Sequence, residues 1–78
     1  MWWAVPTLLF SNFTGNKGDG VQIDAANSTI SINNSKFTNN GDDGFDIDAS
    51  GTGNTVNVAN SEFTNNSDDG FDILGTNN

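Results

Sequence analysis

Apolar residues in this chain come in short runs, each alternating with polar ones. Val21 and Ile23 flank a polar residue, as do Phe45 with Ile47 and Phe71 with Ile73. Ile30 and Ile32 repeat the pattern, Val56 and Val58 match them, and single phenylalanines stand at Phe13, Phe37 and Phe63. A period of two with β-branched and aromatic residues at the apolar positions predicts strands. No stretch keeps helical spacing, and Gly and Asn are too frequent for helices.

The runs belong to a repeat. SNFTGNKGDGVQIDA (11–25), SKFTNNGDDGFDIDA (35–49) and SEFTNNSDDGFDILG (61–75) superimpose at offsets of 24 and 26 residues. TISINN (29–34) and TVNVAN (55–60) align between them, and the two extra residues are expected in the Gly-rich stretch Ser50-Gly51-Thr52-Gly53. Each unit thus holds three strands and cannot bury its apolar face alone. Coaxial stacking at one strand spacing of ~4.8 Å puts Phe over Phe and Ile over Ile in a continuous core. The predicted fold is an all-β, single-stranded parallel β-helix of about three coils of 24–26 residues, starting near residues 11, 35 and 61. Asp-Gly between apolar runs is also a hairpin signal. A hairpin stack, however, has no reason to keep the same Asn, Asp and Gly at every interval.

Residues 11–78 form the predicted solenoid, and residues 1–10 precede it as a cap or partial coil. Counting back 24 residues places Leu8 on the inward position of Ile32 and Pro6 on that of Ile30. Trp2 and Trp3 would then cover the first Phe-Ile layer, unless the stretch is a linker. MWWAVPTLLF lacks the basic flank and length of a signal peptide and is too short to span a membrane. Past Ile73, LGTNN offers no visible cap. The solenoid is expected either to continue in a longer protein or to self-associate end to end.

The pattern S-x-F-x-x-N-x-x-D-G-[VF]-x-I, followed by [IV]-x-[IV]-x-N-S, resembles the right-handed parallel β-helix repeat of the pectin-lyase-like superfamily. The resemblance covers roughly residues 11–75 and implies right-handed coiling. It is specific for fold and weak for function, since that superfamily includes lyases, glycosidases, epimerases, phage tailspikes and adhesins.

Most recurrent polar positions have architectural explanations. Asn16, Asn40 and Asn66 can pass amide hydrogen bonds from coil to coil as an asparagine ladder. Asn34 and Asn60, each followed by a serine (Ser35, Ser61), suggest a second ladder, and Thr14, Thr38 and Thr64 an outward row. Gly20, Gly44 and Gly70 each follow an aspartate, Asp19, Asp43 or Asp69, at a turn that needs positive φ or close backbone approach.

Charge changes the picture on one face. Ten acidic residues oppose Lys17 and Lys36 for a net charge of −8, without Arg, His or Cys. Nucleic acid would be repelled. Disulfides and thiolate sites are excluded. Cations, neutral carbohydrate or another protein are the partners this charge permits. Leu, Ile, Val and Phe make up only 18 of 78 residues, near the composition of disordered chains, so periodicity carries the case for a fold.

The outward first-strand positions read Gln22, Asp46, Asp72 and then Asp24, Asp48, Leu74, with Asp42 and Asp68 on the same edge. Stacked like charges repel by roughly 1 kcal/mol per pair in water and by several when partly desolvated. Three readings compete. The face is simply solvated; it binds Ca²⁺ through Asp42, Asp43, Asp46, Asp68, Asp69 and Asp72; or it is catalytic. No EF-hand loop or GGxGxD repeat supports the second.

For the third, GDDG (41–44) resembles the Asp-Asp element of the polygalacturonase branch. That branch also carries Gly-His-Gly and Arg-x-Lys elements, which a chain without His and Arg cannot supply. Thr29/Ser31 and Thr55/Asn57 do not make the T-x-T rows of an ice-binding face. The expected function is therefore a non-catalytic structural segment of an extracellular or surface β-helix protein, of polysaccharide-active-enzyme or adhesin type. A Ca²⁺-dependent glycan-binding module and a self-stacking fibre subunit are the alternatives.

Overall fold

A computed structural model of the chain describes residues 7–78. Nine strands follow in order: β1 (Thr7–Leu9), β2 (Asn12–Thr14), β3 (Val21–Ile23), β4 (Thr29–Asn33), β5 (Lys36–Thr38), β6 (Phe45–Ile47), β7 (Thr55–Ala59), β8 (Glu62–Thr64) and β9 (Phe71–Ile73). They make three parallel sheets, ordered β1-β4-β7, β2-β5-β8 and β3-β6-β9. Each sheet takes one strand from each coil, which is an all-β parallel solenoid and not a stack of hairpins.

The register is the repeat. Phe13, Phe37 and Phe63 lie opposite one another in sequence. So do Val21, Phe45 and Phe71, and Leu8, Ile32 and Val58. The roles expected of Trp2, Trp3 and Pro6 lie outside the described residues. The two extra residues sit slightly earlier than expected. Thr52 bridges to both Ala26 and Thr76, so the insertion falls within a turn closed by Gly51 N–H donating to Asp48 O at 2.8 Å. Ala49 and Ser50 project from it, both exposed.

Each coil turns three corners, and the corners stack as the strands do. One holds Phe10, Asn34 and Asn60, the second Gly15, Asn39 and Asn65, the third Asn27, Gly53 and Asn77, all with φ between 49° and 72°. Gly and Asn tolerate this left-handed conformation best. The Asp-Gly glycines follow the other expectation, close approach. A Cβ on Gly44 would lie 2.5 Å from Gly70 O and 2.7 Å from the Asn66 amide nitrogen.

Side chains tie the coils together at these corners. Asn16 Nδ2 donates to Asn40 Oδ1 and Asn40 Nδ2 to Asn66 Oδ1, each at 2.9 Å. Asn40 Nδ2 also reaches Phe13 O at 3.1 Å. The second column differs from expectation. Its hydrogen bonds run through serines alone, Ser11 N–H to Ser35 Oγ at 3.2 Å and Ser35 N–H to Ser61 Oγ at 3.1 Å. Asn34 instead takes the left-handed corner, where its side-chain amide donates to the neighbouring Asn33 Oδ1 while its backbone N–H donates to Ala59 O at 3.1 Å. A third column, unforeseen, joins Ser28 N–H to Asn54 Oδ1 and Asn54 N–H to Asn78 Oδ1, both at 3.0 Å. On the outside, Thr38 Oγ1 donates to Thr14 Oγ1 at 3.2 Å.

Among the described residues the core lies in the middle coil, which has a neighbour on both sides. Ile30, Ile32, Phe37, Phe45 and Ile47 are buried, and Leu8, Phe13, Val21, Ile23, Val56 and Phe63 pack against them. Phe37 stacks on Phe13 and Phe63 with centroids 4.9 and 4.7 Å away. It meets Phe45 edge-on at 6.2 Å and 89°. Stacking is set by the coil spacing, and the edge contact adds the arrangement aromatic quadrupoles favour.

Two substitutions test this reading. Phe10 is 73% exposed yet sits at a left-handed corner where the next coils have asparagine. Phe10→Asn is expected to stabilise the chain by about 1 kcal/mol in urea unfolding; unchanged or lower stability would contradict the strain. Asn40→Ala removes the buried amide that bonds Asn16, Phe13 O and Asn66 and is expected to cost about 3 kcal/mol. A loss below about 1 kcal/mol would mean the amide column contributes little.

Candidate functional site

Sheet β3-β6-β9 and the turn before it carry the acidic face. Parallel pairing sets Gln22 opposite Asp46 and Asp46 opposite Asp72. The turn aspartates have structural work. Asp19 Oδ1 accepts from Asp43 N–H at 3.0 Å, and Asp43 Oδ1 from Asp69 N–H at 2.7 Å. These bonds join the Asp-Gly turns of successive coils, which explains the recurrence of the dipeptide without a ligand.

The six aspartates singled out from the sequence do not form one cluster. Carboxylate oxygens lie within 4.8 Å of one another in three groups: Asp19/Asp42/Asp43, Asp43/Asp68/Asp69 and Asp43/Asp46/Asp72. Asp43 belongs to all three. Asp19 is the member that the sequence reading left out of the metal set, although its position matches Asp43 and Asp69. Asp42, Asp68 and Asp69 are exposed, so the first two groups are largely open to water.

The third group differs. Asp46 holds an outward strand position, yet only 7% of its surface is exposed. Alternation does point its side chain away from Phe45 and Ile47, but Gln22, Asp72 and Asp43 surround it there. Gln22 Nε2 donates to Asp46 Oδ2 and to Asp48 Oδ2, each over a long 3.4 Å. Asp46 Oδ1 is buried without any hydrogen-bond partner. A buried carboxylate oxygen without a partner carries a desolvation cost. Beyond the group, Asp48 Oδ1 accepts from Ala49 N–H at 2.6 Å, and Asp24 accepts from the Ser50 hydroxyl.

A family model described as a right-handed beta helix region matches residues 6–78. The chain belongs to the right-handed β-helix family. No curated protein and no solved structure gives a match. The family assignment agrees with the three parallel sheets and adds the hand of the coil. Among the described residues, no helix of this β-helix is long and apolar enough to cross a membrane.

Within the β-helix, stacking moves protons. Burial raises the Asp46 carboxyl above its ordinary value of 3.8; the Asp19 charge adds to this, the Gln22 hydrogen bond opposes it, and Asp43 and Asp72 add further. Asp42 is also raised, by desolvation and then by the charges of Asp43, Asp19 and Asp68. A carboxyl whose folded pKa lies above its unfolded value favours the folded state when protonated. That contribution is complete below the unfolded value and is lost as pH rises through the folded one. Wild type is therefore expected to gain thermal stability relative to Asp46→Asn as pH falls from 7 toward about 4, and Asp46→Asn to be the more stable at pH 7. A stability difference between the two that does not change with pH would contradict the shift.

Proposed function

We propose that this chain serves as a non-catalytic structural segment of an extracellular or cell-surface right-handed β-helix protein, of polysaccharide-active-enzyme or adhesin type. The observation that carries this reading is the use made of the recurrent polar residues. The Ser11/Ser35/Ser61, Asn16/Asn40/Asn66 and Asp19/Asp43/Asp69 series are engaged from coil to coil. Residues recurring in this way are used to build a scaffold. The last coil leaves apolar side chains uncovered. Val58, Phe71, Ile73 and Leu74 are exposed along its rim, and β7, β8 and β9 each pair on one side only. Further coils, or the self-stacked copies of a fibre, would cover that rim. The extracellular or surface setting rests on the resemblance to the pectin-lyase-like superfamily.

A second reading, a Ca²⁺-dependent glycan-binding module, is favoured by the buried, unpartnered Asp46 oxygen in an acidic group. Incubation with homogalacturonan, alginate and a neutral glucan, with and without Ca²⁺, separates the readings. The structural segment is expected to release no reducing ends and no unsaturated sugar. Turnover that Asp46→Asn abolishes would overturn the non-catalytic assignment. Retention on immobilised glycan only when Ca²⁺ is present would favour the binding module.

A further inference from the structure

We infer that Asp43, Asp46 and Asp72 form a Ca²⁺ site on the third sheet, with the buried Asp46 Oδ1 as its inner ligand. The inference deepens the calcium reading by naming the site, and it stands whether or not a glycan binds. Carboxylate oxygens of the three residues lie within 4.8 Å of one another, and exposed acidic clusters of that kind are common. This one is set apart by burial. Asp43 and Asp46 are each only 7% exposed, and Asp46 Oδ1 has no partner at all. The Gln22 amide that approaches the other oxygen does so over 3.4 Å. A buried carboxylate that keeps one oxygen unpartnered and is grouped with two further carboxylates lacks a counter-charge, and a cation bound among the three would supply it.

The three aspartates arrive there by different routes, which makes the site directional. Asp46 and Asp72 are paired positions of adjacent strands, so the coil spacing sets their separation. Asp43 enters from the turn before β6, and its Oδ1 is already bound to Asp69 N–H. That bond fixes the carboxylate, leaving Oδ2 to serve as a ligand. Asp72 is only partly buried, so its side of the group opens to water, which would complete the six to eight oxygens that Ca²⁺ takes. Calcium fits better than magnesium. Oxygens on opposite sides of Ca²⁺ lie up to about 5 Å apart, against about 4 Å for Mg²⁺, which also demands stricter octahedral geometry. The other two aspartate groups share Asp43 but add only exposed or turn-bonded carboxylates, and neither holds an unpartnered buried oxygen.

Calorimetric titration of the full chain with CaCl₂ and MgCl₂, without glycan, tests the site. One Ca²⁺ per chain is expected, with a dissociation constant on the order of 10⁻⁴ M and weaker Mg²⁺ binding. Asp46→Asn and the more peripheral Asp72→Asn should each weaken Ca²⁺ at least tenfold, while Glu62→Gln on another sheet should leave it unchanged. Amide shifts on adding Ca²⁺ should centre on residues 43–47 and 71–73. No binding up to 10 mM Ca²⁺ would overturn the site. So would Ca²⁺ affinity that survives both aspartate substitutions, Mg²⁺ binding as tight as Ca²⁺, or shifts confined to the exposed Asp42 and Asp68 turn.

Discussion

A parallel coil lays every residue about one strand spacing, ~4.8 Å, above its equivalent. Everything else in this chain follows from that translation. Apolar groups gain from it: Phe13, Phe37 and Phe63 lie nearly parallel, with interplanar angles of 12° and 5°. Amides and hydroxyls gain as well, because each can donate to one neighbour and accept from the other. Carboxylates lose, because an ionised carboxylate has no proton to donate to the next. The same rule that rewards Asn40 between Asn16 and Asn66 penalises Asp46 beside Asp72.

A chain of about three coils has one interior layer. Among the described residues, only the middle coil has neighbours above and below, and all five fully buried apolar residues come from it. This explains why a sequence so poor in large apolar residues can still fold as a solenoid. Its packing is concentrated in one layer, and its polar residues satisfy backbone groups from coil to coil. It also explains where the charge problem becomes acute. Asp46 is the middle-coil member of its row and is enclosed, whereas Gln22 above is exposed and Asp72 below is only partly buried.

The fold was legible in the sequence because stacking requires equivalent positions to recur, and recurrence can be read without an alignment. Strand registers, the inward Phe and Ile positions and the Asn16/Asn40/Asn66 amides stand out for that reason. The column Ser28/Asn54/Asn78 was not legible: its residue types differ, and its spacings of 26 and 24 reverse the order of the three aligned segments. The division of labour between Asn34 and Ser35 was hidden too. Both recur, and only the backbone shows that asparagine takes the left-handed corner while serine carries the hydrogen bonds. In the candidate site, alternation correctly put Asp46 on the side away from the core. Its burial depends on Gln22, Asp43 and Asp72 closing around it, which a period of two does not contain. The six aspartates were the right residues to weigh, but sharing an edge in sequence did not show that they divide into three groups around Asp43.

Coil-to-coil stacking thus encloses an aspartate among its own kind. Carbon-13 NMR titration of the Asp46 carboxyl measures this directly, in metal-free buffer across the acid range. The expected midpoint lies clearly above 3.8, the ordinary aspartate value. A midpoint at or below that value would contradict it, since it would mean that water or an unseen donor already satisfies Asp46.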